Sequence, residues 1–378
     1  MHVSAWPGLN PGHLLRGPST GGQPFPLNAP ARTFFYRARN AIYHLFRALG
    51  SETGDEVLVP AYHSGNEVAA IRAAGATPIF HPVSRRLEVD VDDLRRRWTP
   101  KTRAVFTIHY LGWPQPVAEL AALCRERDAL LVEDCALSLL SEAGGRALGM
   151  FGDHAVFCLY KTLPVPNGGV LVHNRAPLPA LESLSLRSCG MAPLAGRSAE
   201  LVLEWLRGRC NGPTQALFGL KRAAGRALRA AGVEPVPVGD MGFELSQVDV
   251  GISPMCEVLM RRWDCGAIRD RRRANYRHLR ARLAGRVTPL LEDLPEGVCP
   301  LFFPILVGDK RGAARALRAR GVEAIEFWNE GDAGARDFAD TRFLRKHVLE
   351  LPIHQDLSPE QIDYVADRVG ELRPGLPC

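Results

Sequence analysis

Residues 129–161 read ALLVEDCALSLLSEAGGRALGMFGDHAVFCLYK, and the architecture that we expect follows from this stretch. It contains two short apolar runs, 129–134 and 154–160, which a glycine-rich segment separates. Runs of this length that are rich in branched and aromatic side chains predict buried strands. Asp134 ends the first run and Lys161 follows the second. Because open parallel sheets bind ligands at the carboxyl ends of their strands, both side chains are candidates for one site.

Strands and helices alternate on both sides of this stretch. Apolar runs and helical apolar spacing, with glycines after several helices, mark the predicted elements. The predicted strands are 56–61, 77–81, 104–110, 129–134, 154–160 and 169–173, and the predicted helices are 37–49, 67–74, 91–98 and 116–128. Short strands separated by helices predict an α/β fold with a mostly parallel central sheet and helices on both faces.

The chain of 378 residues is longer than one ordinary hydrophobic core needs, so we expect more than one domain. Residues 1–34 are rich in proline and glycine and predict an extended N-terminal arm. Residues 35–250 form the predicted large domain, with a basic helical insertion at about 174–240. Residues 251–378 form a smaller predicted α/β domain, whose last helix begins at the capping-box sequence Ser-Pro-Glu-Gln at 358–361.

Composition excludes several classes of protein. The chain is 46% apolar and 23% charged, which excludes a wholly disordered or fibrous protein. We expect no membrane-spanning helix, which needs ~20 apolar residues, and no signal peptide at Met1–Asn10. The nine cysteines form no Cys-x-x-Cys pair, so we expect reduced thiols and a cytoplasmic protein. The formal net charge of +6 is too small to predict nucleic-acid binding.

Three chemically active side chains end predicted strands: His109, Asp134 and Lys161. Taken singly, each residue has an ordinary explanation. An aspartate after a strand often caps a helix, a histidine there is often structural, and a lysine there is often solvated. The spacing favours a functional interpretation. Lys161 follows Asp134 by 27 residues and precedes the pair Gly168-Gly169. This pattern suits an enzyme whose lysine forms an imine with an aldehyde cofactor, while the acid pairs with the pyridinium nitrogen of that cofactor.

Six short motifs follow one another along the chain. They are GDEVLVP at 54–60, AGATPIF at 74–80, IHYLG at 108–112, VEDCA at 132–136, GRALGMFGD at 145–153, and VLELPIH at 348–354 with LSPEQ at 357–361. In this order they resemble the DegT/StrS type of sugar aminotransferase, a family of pyridoxal 5'-phosphate enzymes of fold type I. The resemblance covers most of residues 35–372, and it implies this fold, this cofactor and the transfer of an amino group.

The resemblance implies roles for two of the strand-end side chains. Asp134 matches the acid that pairs with the pyridine nitrogen. Lys161 matches the Schiff-base lysine, which is also expected to move protons, because it lies seven residues before the glycine pair. The run 157–161 is two residues shorter than the corresponding run of the family. Lys101 and Lys221 lie elsewhere in the sequence.

The expected phosphate end of the site departs from the family pattern. The Gly-Thr pair that opens the first helix of the large domain is Ala38-Arg39, and the serine before the lysine is Cys158. A helix start can still bind an anion, so Arg39, Asn40 and Cys158 are candidate ligands of the cofactor. Arg37 is an alternative source of positive charge, and Arg39 could also be an ordinary surface residue.

The face of the cofactor ring also lacks the family's residues. Ser64 stands where an aromatic side chain normally stacks, so Tyr62 or His63 is expected to take that role, and His109 is expected to contact the cofactor as well. The family's glutamine three residues after the acid is Leu137. The partner-subunit motif Asn-x-Arg-Met-Ser is replaced by ISPMC at 252–256. The resemblance implies a homodimer with the site between its subunits.

Much of the positive charge lies in the predicted insertion. Residues 174–240 contain nine arginines and lysines against five acids, which accounts for four of the six net charges. Within them, 213–231 predicts an amphipathic helix with one basic face. A solvated basic face is the ordinary interpretation. Attraction of an anionic substrate, or weak contact with an anionic membrane surface, is the alternative.

These features together predict a pyridoxal-phosphate-dependent aminotransferase. We expect it to move an amino group from a donor, glutamate, to a small-molecule keto substrate. The resemblance implies a keto sugar or sugar nucleotide from cell-surface polysaccharide or natural-product biosynthesis. We expect no metal site and no nucleic-acid partner. Two alternatives stay open. One is an enzyme of the same fold that catalyses elimination, decarboxylation or condensation, which Leu137 and the absent partner-subunit asparagine favour. The other is a non-catalytic relative that acts at a membrane surface.

Overall fold

The computed structural model describes residues 1–15, 17–19, 21–175, 178–209 and 242–372. Its strands are β1 (Arg32–Phe35), β2 (Glu56–Pro60), β3 (Thr77–His81), β4 (Thr102–Ile108), β5 (Leu130–Asp134), β6 (Glu142–Ala143), β7 (Arg146–Ala147), β8 (His154–Cys158), β9 (Gly169–His173), β10 (Thr288–Pro289), β11 (Phe302–Leu306) and β12 (Val348–Pro352). The helices of the described residues are α1 (Ala38–Ala48), α2 (Asn66–Ala73), α3 (Val91–Arg97), α4 (Val117–Glu126), α5 (Pro179–Glu182), α6 (Met191–Arg207), α7 (Pro254–Met260), α8 (Cys265–Leu283), α9 (Lys310–Ala319), α10 (Ala339–His347) and α11 (Pro359–Gly370).

Seven of the strands form one sheet, in the order β1-β9-β8-β5-β4-β2-β3. β5 pairs in parallel with β4 on one side and β8 on the other, and β2 pairs in parallel with β3 and β4. β9 runs antiparallel to β8, and β1 runs antiparallel to β9. The predicted α/β fold with a mostly parallel central sheet is therefore confirmed, with antiparallel strands added at one edge.

The central strands are apolar because both faces of the sheet are covered. β8 and β9 are buried along their whole length, and β5 is buried at every residue after its first. Strands in such a position form continuous apolar runs instead of alternating ones, which is why the sequence marks them clearly. β3 and β9 have the predicted bounds. β8 ends two residues earlier than predicted, because Leu159–Lys161 forms a 3₁₀ turn.

A second, smaller sheet lies toward the C-terminus. It has three antiparallel strands in the order β10-β11-β12, and its apolar face belongs to a core that includes side chains of α8 and α11. The predicted start of α11 is confirmed, since the Ser358 hydroxyl accepts from the Gln361 amide and the Gln361 side chain accepts from the Ser358 amide. α8 begins at Cys265, where the Asp264 carboxylate accepts from the Ala267 amide.

The N-terminal residues lie along the smaller unit. The Val3 amide donates to Gly321 O at 2.8 Å, and the Glu323 amide donates to Val3 O at 2.9 Å. Further along, the ring of Trp6 packs edge-on against Phe302 at 5.0 Å between centroids. The arm is thus joined to the unit that contains the small sheet. The boundaries at 34/35 and 250/251 stay predictions.

Part of the predicted insertion is visible. Helices α5 and α6 lie within 174–240, and the predicted amphipathic helix at 213–231 lies outside the described residues. None of the helices in the described ranges combines the length and the apolar character that crossing a bilayer requires.

Candidate active site

Two adjacent strands carry the predicted acid and amine to the same edge of the sheet. β5 ends on Asp134, which is in register with Val156 of β8, and the 3₁₀ turn after β8 ends on Lys161. A cleft opens at this edge. Its polar lining residues are Arg39, Ser64, Asn66, Glu67, Asp134, Cys158, Tyr160 and Lys161, and its apolar lining residues are Ala38, Ile42, Ile108, Ala136, Leu137 and Trp328.

Asp134 is a buried acid whose pKa is raised by its surroundings. Its Oδ1 accepts from the Ala136 amide at 2.8 Å, and only 6% of the residue is exposed. The pKa of the Asp134 carboxyl is raised to about 7, first by burial and then by the negative charge of Glu67, while the hydrogen bond from the Ala136 amide and the Lys161 ammonium oppose the rise. A buried carboxyl of this kind is stabilised in its ionised form by a cation placed beside it.

Lys161 is half-buried and is the lysine that lines the cleft within the described residues. Its Nζ lies 5.7 Å from the centre of the Phe327 ring. Phe327 belongs to the loop that follows Gly321 in the smaller unit. The amine is therefore placed between the edge of the large sheet and an aromatic loop of the smaller unit, a position that limits its contact with water.

Two arginines lie at the start of α1. Arg39 lines the cleft and is buried, and its Nη1 donates to Asn66 Oδ1 at 3.0 Å and to Gly242 O. Arg37 precedes the first residue of α1 and is 1% exposed, and its Nε and Nη2 have no hydrogen-bond partner among the described residues. Burial, followed by the positive charge of Arg39, lowers the pKa of Arg37. Two buried guanidinium groups beside a helix N-terminus form an electropositive place for an anion.

Two other candidate ligands of the cofactor are found in different environments. Cys158 lines the cleft, and burial raises the pKa of its thiol, so the group is an uncharged, weak donor. Asn40 does not line the cleft. Its side-chain amide donates to Gln247 O at 2.9 Å, so it connects α1 to the segment before α7. The expectation that Asn40 binds the cofactor stays a prediction.

His109 also lies outside the cleft, and the expectation that it contacts the cofactor stays a prediction. Its Nε2–H donates to Glu133 Oε2 at 3.0 Å, and its Nδ1 accepts from the Gln115 amide at 3.1 Å. Both side chains of the pair are fully buried. The reason is the alternation of side chains along a strand: Ile108 faces the cleft, so its neighbour His109 points the other way. The hydrogen bonds that His109 makes connect parts of the protein to one another.

The two aromatic candidates for ring stacking are turned away from the cleft as well. The ring of Tyr62 packs against Tyr110 and Trp328, and the ring of His63 lies parallel to Phe80 with 5.4 Å between centroids. Neither Tyr62 nor His63 lines the cleft, whereas Ser64 does. The expectation that Tyr62 or His63 stacks on the cofactor stays a prediction.

Trp328 and Glu67 line the cleft and were not predicted. The sequence does contain a pattern that predicts the position of Glu67, because Ser64-x-x-Glu67 has the form of a capping box at a helix start. Its carboxylate accepts from the amide and the hydroxyl of Ser64. Trp328 had no local signal. It reaches the cleft through tertiary contacts from a distant part of the chain.

Two groups of side chains with metal-binding atoms occur among the described residues. In the group His109, Glu133 and Cys135, Glu133 already accepts from His109 and from the amides of Gly149, Phe151 and Gly152. In the group His2, Glu204 and Glu323, the Arg207 guanidinium lies 3.1 Å from Glu323. Glu133 of the first group and Glu323 of the second are therefore already paired within the protein.

Comparison with known proteins agrees with this architecture. Residues 37–202 match the model of the DegT/DnrJ/EryC1/StrS aminotransferase family. The chain is 35% identical over 137 residues to the GDP-perosamine synthase of Vibrio cholerae, covering 35% of this chain and 37% of that protein. It is 33% identical over 183 residues to the dTDP-4-dehydro-2,3,6-trideoxy-D-glucose 4-aminotransferase of Saccharopolyspora spinosa, covering 47% of each. The matched segments thus span less than half the length of these curated relatives.

The likeness to solved structures extends over nearly the whole chain. The PLP form of Spr1654 from Streptococcus pneumoniae superimposes with a TM-score of 0.67 at 17% identity, covering 98% of both chains. This likeness shows the fold, fold type I, and the sequence match to the family model extends over residues 37–202. Residues 37–202 are therefore similar in sequence to the DegT/DnrJ/EryC1/StrS aminotransferase family.

Proposed function

We propose that this protein is a pyridoxal-phosphate-dependent aminotransferase that moves an amino group to a keto group on a sugar or sugar nucleotide. The observation that carries the proposal is the convergence of Asp134 and Lys161 on one cleft at the carboxyl edge of the sheet. The names of the relatives support the substrate class, since they are a GDP-sugar synthase and a dTDP-sugar aminotransferase. Glutamate as donor, a homodimer and a cytoplasmic location are further parts of the proposal.

The residues of the cleft fit pyridoxal 5'-phosphate. Asp134 is a buried carboxyl whose pKa lies near neutrality, so a protonated ring nitrogen beside it would favour its ionised form. Ala136 and Leu137 give the cleft an apolar wall against which a flat ring can pack. Arg39 and the first turn of α1 offer positive charge to a phosphate group. When bound, the cofactor supplies an electron sink for the carbon that loses a proton.

Each of these residues has a separate task. Lys161 provides the amine for covalent attachment, and once its nitrogen is released it takes and returns the proton at the α-carbon of the amino donor. Asp134 keeps a negative charge beside the ring nitrogen. Phe327, whose ring centre lies 5.7 Å from Lys161 Nζ, and Leu137, which gives the cleft an apolar wall, would limit competing hydrolysis.

A second chemistry is favoured by Leu137. This side chain is buried and lines the cleft, so it offers no hydrogen bond to a bound group. An apolar contact there changes the electronic balance of a bound cofactor. Elimination, decarboxylation or condensation in the same cleft is the candidate function that this residue supports.

The experiment begins with the purified chain and pyridoxal 5'-phosphate. We expect a visible absorbance band, and we expect 2-oxoglutarate when glutamate is added to the loaded protein. Lys161→Ala should lose the band, and Lys101→Ala, which changes an exposed lysine outside the cleft, should keep it. A protein that takes up no pyridoxal phosphate would contradict the proposal. Uptake without 2-oxoglutarate from any amino donor would favour the second chemistry.

The acceptor and the assembly need their own measurements. Keto sugars attached to dTDP, GDP and UDP are offered to the aminated protein, and the amino sugar is detected by mass spectrometry. Light scattering on the loaded protein gives the number of chains in each particle. A monomer that retains full activity would contradict the proposed homodimer.

A further inference from the structure

Trp328 places an aromatic ring in the cleft. The loop after β2, where Tyr62 and His63 lie, places no aromatic ring there. Trp328 lies in the smaller unit, beyond Ala324, and its side chain lines the cleft together with Lys161 and Asp134. The ring packs edge-on against Tyr62 at 4.9 Å and against Tyr110 at 5.7 Å between centroids. These contacts fix the plane of the indole before any ligand is bound.

The polar atom of this indole has no partner. Trp328 is 6% exposed, and its Nε1 is buried without a hydrogen-bond partner among the described residues. A buried donor that makes no hydrogen bond lowers stability, so such donors are rare in native proteins. A ligand in the cleft with an oxygen acceptor would remove this cost.

The backbone of Trp328 is held in an uncommon conformation. Its φ is 49°, in the left-handed region that side chains with a Cβ seldom adopt. Strained residues of this kind persist where the surroundings hold them, and they cluster at functional sites. Here the surroundings include Arg345, whose Nη1 donates to Trp328 O at 2.6 Å.

The same arginine connects the Trp328 loop to the large sheet. Arg345 Nη2 donates to Ala61 O and to His63 O, both at 3.2 Å, just beyond the end of β2. A second connection is the ion pair between Arg72 of α2 and Asp332. Two separate contacts therefore connect the loop that contains Trp328 to residues of the large sheet and of α2.

We propose that Trp328 is a cofactor-binding residue, whose ring covers the cleft beside Lys161 and whose indole N–H donates to an oxygen atom of pyridoxal 5'-phosphate. This inference rests on the proposed function. It assigns to a residue of the smaller unit the aromatic role that the sequence led us to expect of Tyr62 or His63. Phe327, the neighbour of Trp328, already lies 5.7 Å from Lys161 Nζ, which places this loop at the reacting amine.

The test compares Trp328→Phe with Trp263→Phe in the full chain freed of cofactor. Trp263 is the matched control, because it is also 6% exposed and its Nε1 also lacks a partner among the described residues, but it packs against His13 outside the cleft. Pyridoxal 5'-phosphate is added in steps, and the bound fraction is measured by absorbance. Attachment to Lys161 is verified by borohydride reduction and peptide mass spectrometry. We expect Trp328→Phe to need about three to ten times more cofactor for half saturation, and Trp263→Phe to equal the wild type.

A second measurement observes the hydrogen bond itself. In protein labelled with ¹⁵N at the indole nitrogens, the Trp328 signal should shift on addition of pyridoxal 5'-phosphate, and the Trp263 signal should stay in place. If circular dichroism finds Trp328→Phe unfolded, the signal is assigned in the wild type by replacing the other five tryptophans in turn. Unchanged saturation of a folded Trp328→Phe, or an unmoved Trp328 signal, overturns the role of Trp328 while wild-type loading at Lys161 leaves the proposed function standing. A wild type that takes up no cofactor overturns both.

Discussion

Glu67 lies close enough to Asp134 for its negative charge to raise the pKa of the Asp134 carboxyl. The first cause of that rise is burial, and the two effects together move the pKa from 3.8 to about 7. In the cofactor-free protein, Asp134 therefore resists ionisation. We propose that the protonated ring nitrogen of pyridoxal 5'-phosphate binds beside this carboxyl.

The cofactor-free protein should lose stability as the pH rises, because of Asp134. Below pH 3.8 the carboxyl is protonated in both the folded and unfolded chain and adds no cost. Between pH 3.8 and about 7 only the unfolded chain ionises readily, so folding becomes less favourable, by roughly 4 kcal/mol in total. Asp134→Asn removes this dependence. Thermal unfolding should show the variant more stable than the wild type at pH 8, with a smaller difference at pH 5.

Pyridoxal 5'-phosphate should reverse part of this loss in the wild type. A cation beside Asp134 lowers the pKa of the carboxyl, so cofactor should raise the melting temperature more at pH 8 than at pH 5. In Asp134→Asn the gain should no longer depend on pH in this way. An equal gain at both pH values in the wild type would contradict the pairing of Asp134 with the ring nitrogen.

Glu67→Gln tests the contribution of the neighbouring acid. Removing its negative charge should lower the pKa of Asp134, so the loss of stability with rising pH should end at a lower pH and should be smaller. The amide oxygen of glutamine can still accept from the Ser64 amide, as Glu67 Oε1 does at 2.9 Å. Glu119→Gln, at an exposed position of α4, is the control and should follow the wild-type curve. A Glu67→Gln curve identical to that of the wild type would show that the two acids are not coupled.

The positions of Asp134 and Lys161 could be predicted because they depend on local signals. Apolar runs mark β5 and β8, and adjacent parallel strands end at the same edge. His109 lies outside the cleft for a physical reason: a strand end is easier to predict than the face on which each side chain lies, and an error of one residue moves a side chain to the other face. Trp328 could not be predicted, because its position depends on contacts with Arg345, Tyr62 and Tyr110 that no local pattern contains.

The buried pair of His109 and Glu133 should matter for stability and not for cofactor binding. Glu133 accepts from three backbone amides as well as from His109, so Glu133→Gln would place a donor against donors in a buried site. We expect a loss of about 3 kcal/mol in the free energy of unfolding. Denaturant titration measures this loss, and the absorbance of the loaded variant should remain that of the wild type at low temperature. A spectral change without a loss of stability would assign this pair to the site.

Gly169 allows β9 to pass close to the start of α1. A Cβ at this position would collide with the backbone carbonyl of Arg37, so Gly169→Ala should displace the helix start where a phosphate is expected to bind. We expect a loss of about 2 kcal/mol or more, together with weaker cofactor uptake. Gly196→Ala is the control, since Gly196 lies inside α6 with open space around its Cβ and should gain about 1 kcal/mol from helix propensity. Normal stability of Gly169→Ala would contradict the close approach.

Arg345 should control how firmly the Trp328 loop is held. Its guanidinium donates to four backbone oxygens, those of Ala61, His63, Trp328 and Glu330, and the compact ammonium of lysine cannot span them. Arg345→Lys should therefore cost about 2 kcal/mol in unfolding free energy and should increase hydrogen exchange in the segment from Phe327 to Asp332. Arg342→Lys, on the exposed side of the same helix α10, should leave both unchanged. If exchange in the loop stays at the wild-type level in Arg345→Lys, then the contacts of Trp328 with Tyr62 and Tyr110 hold the loop without the arginine, and the role assigned to Arg345 is wrong.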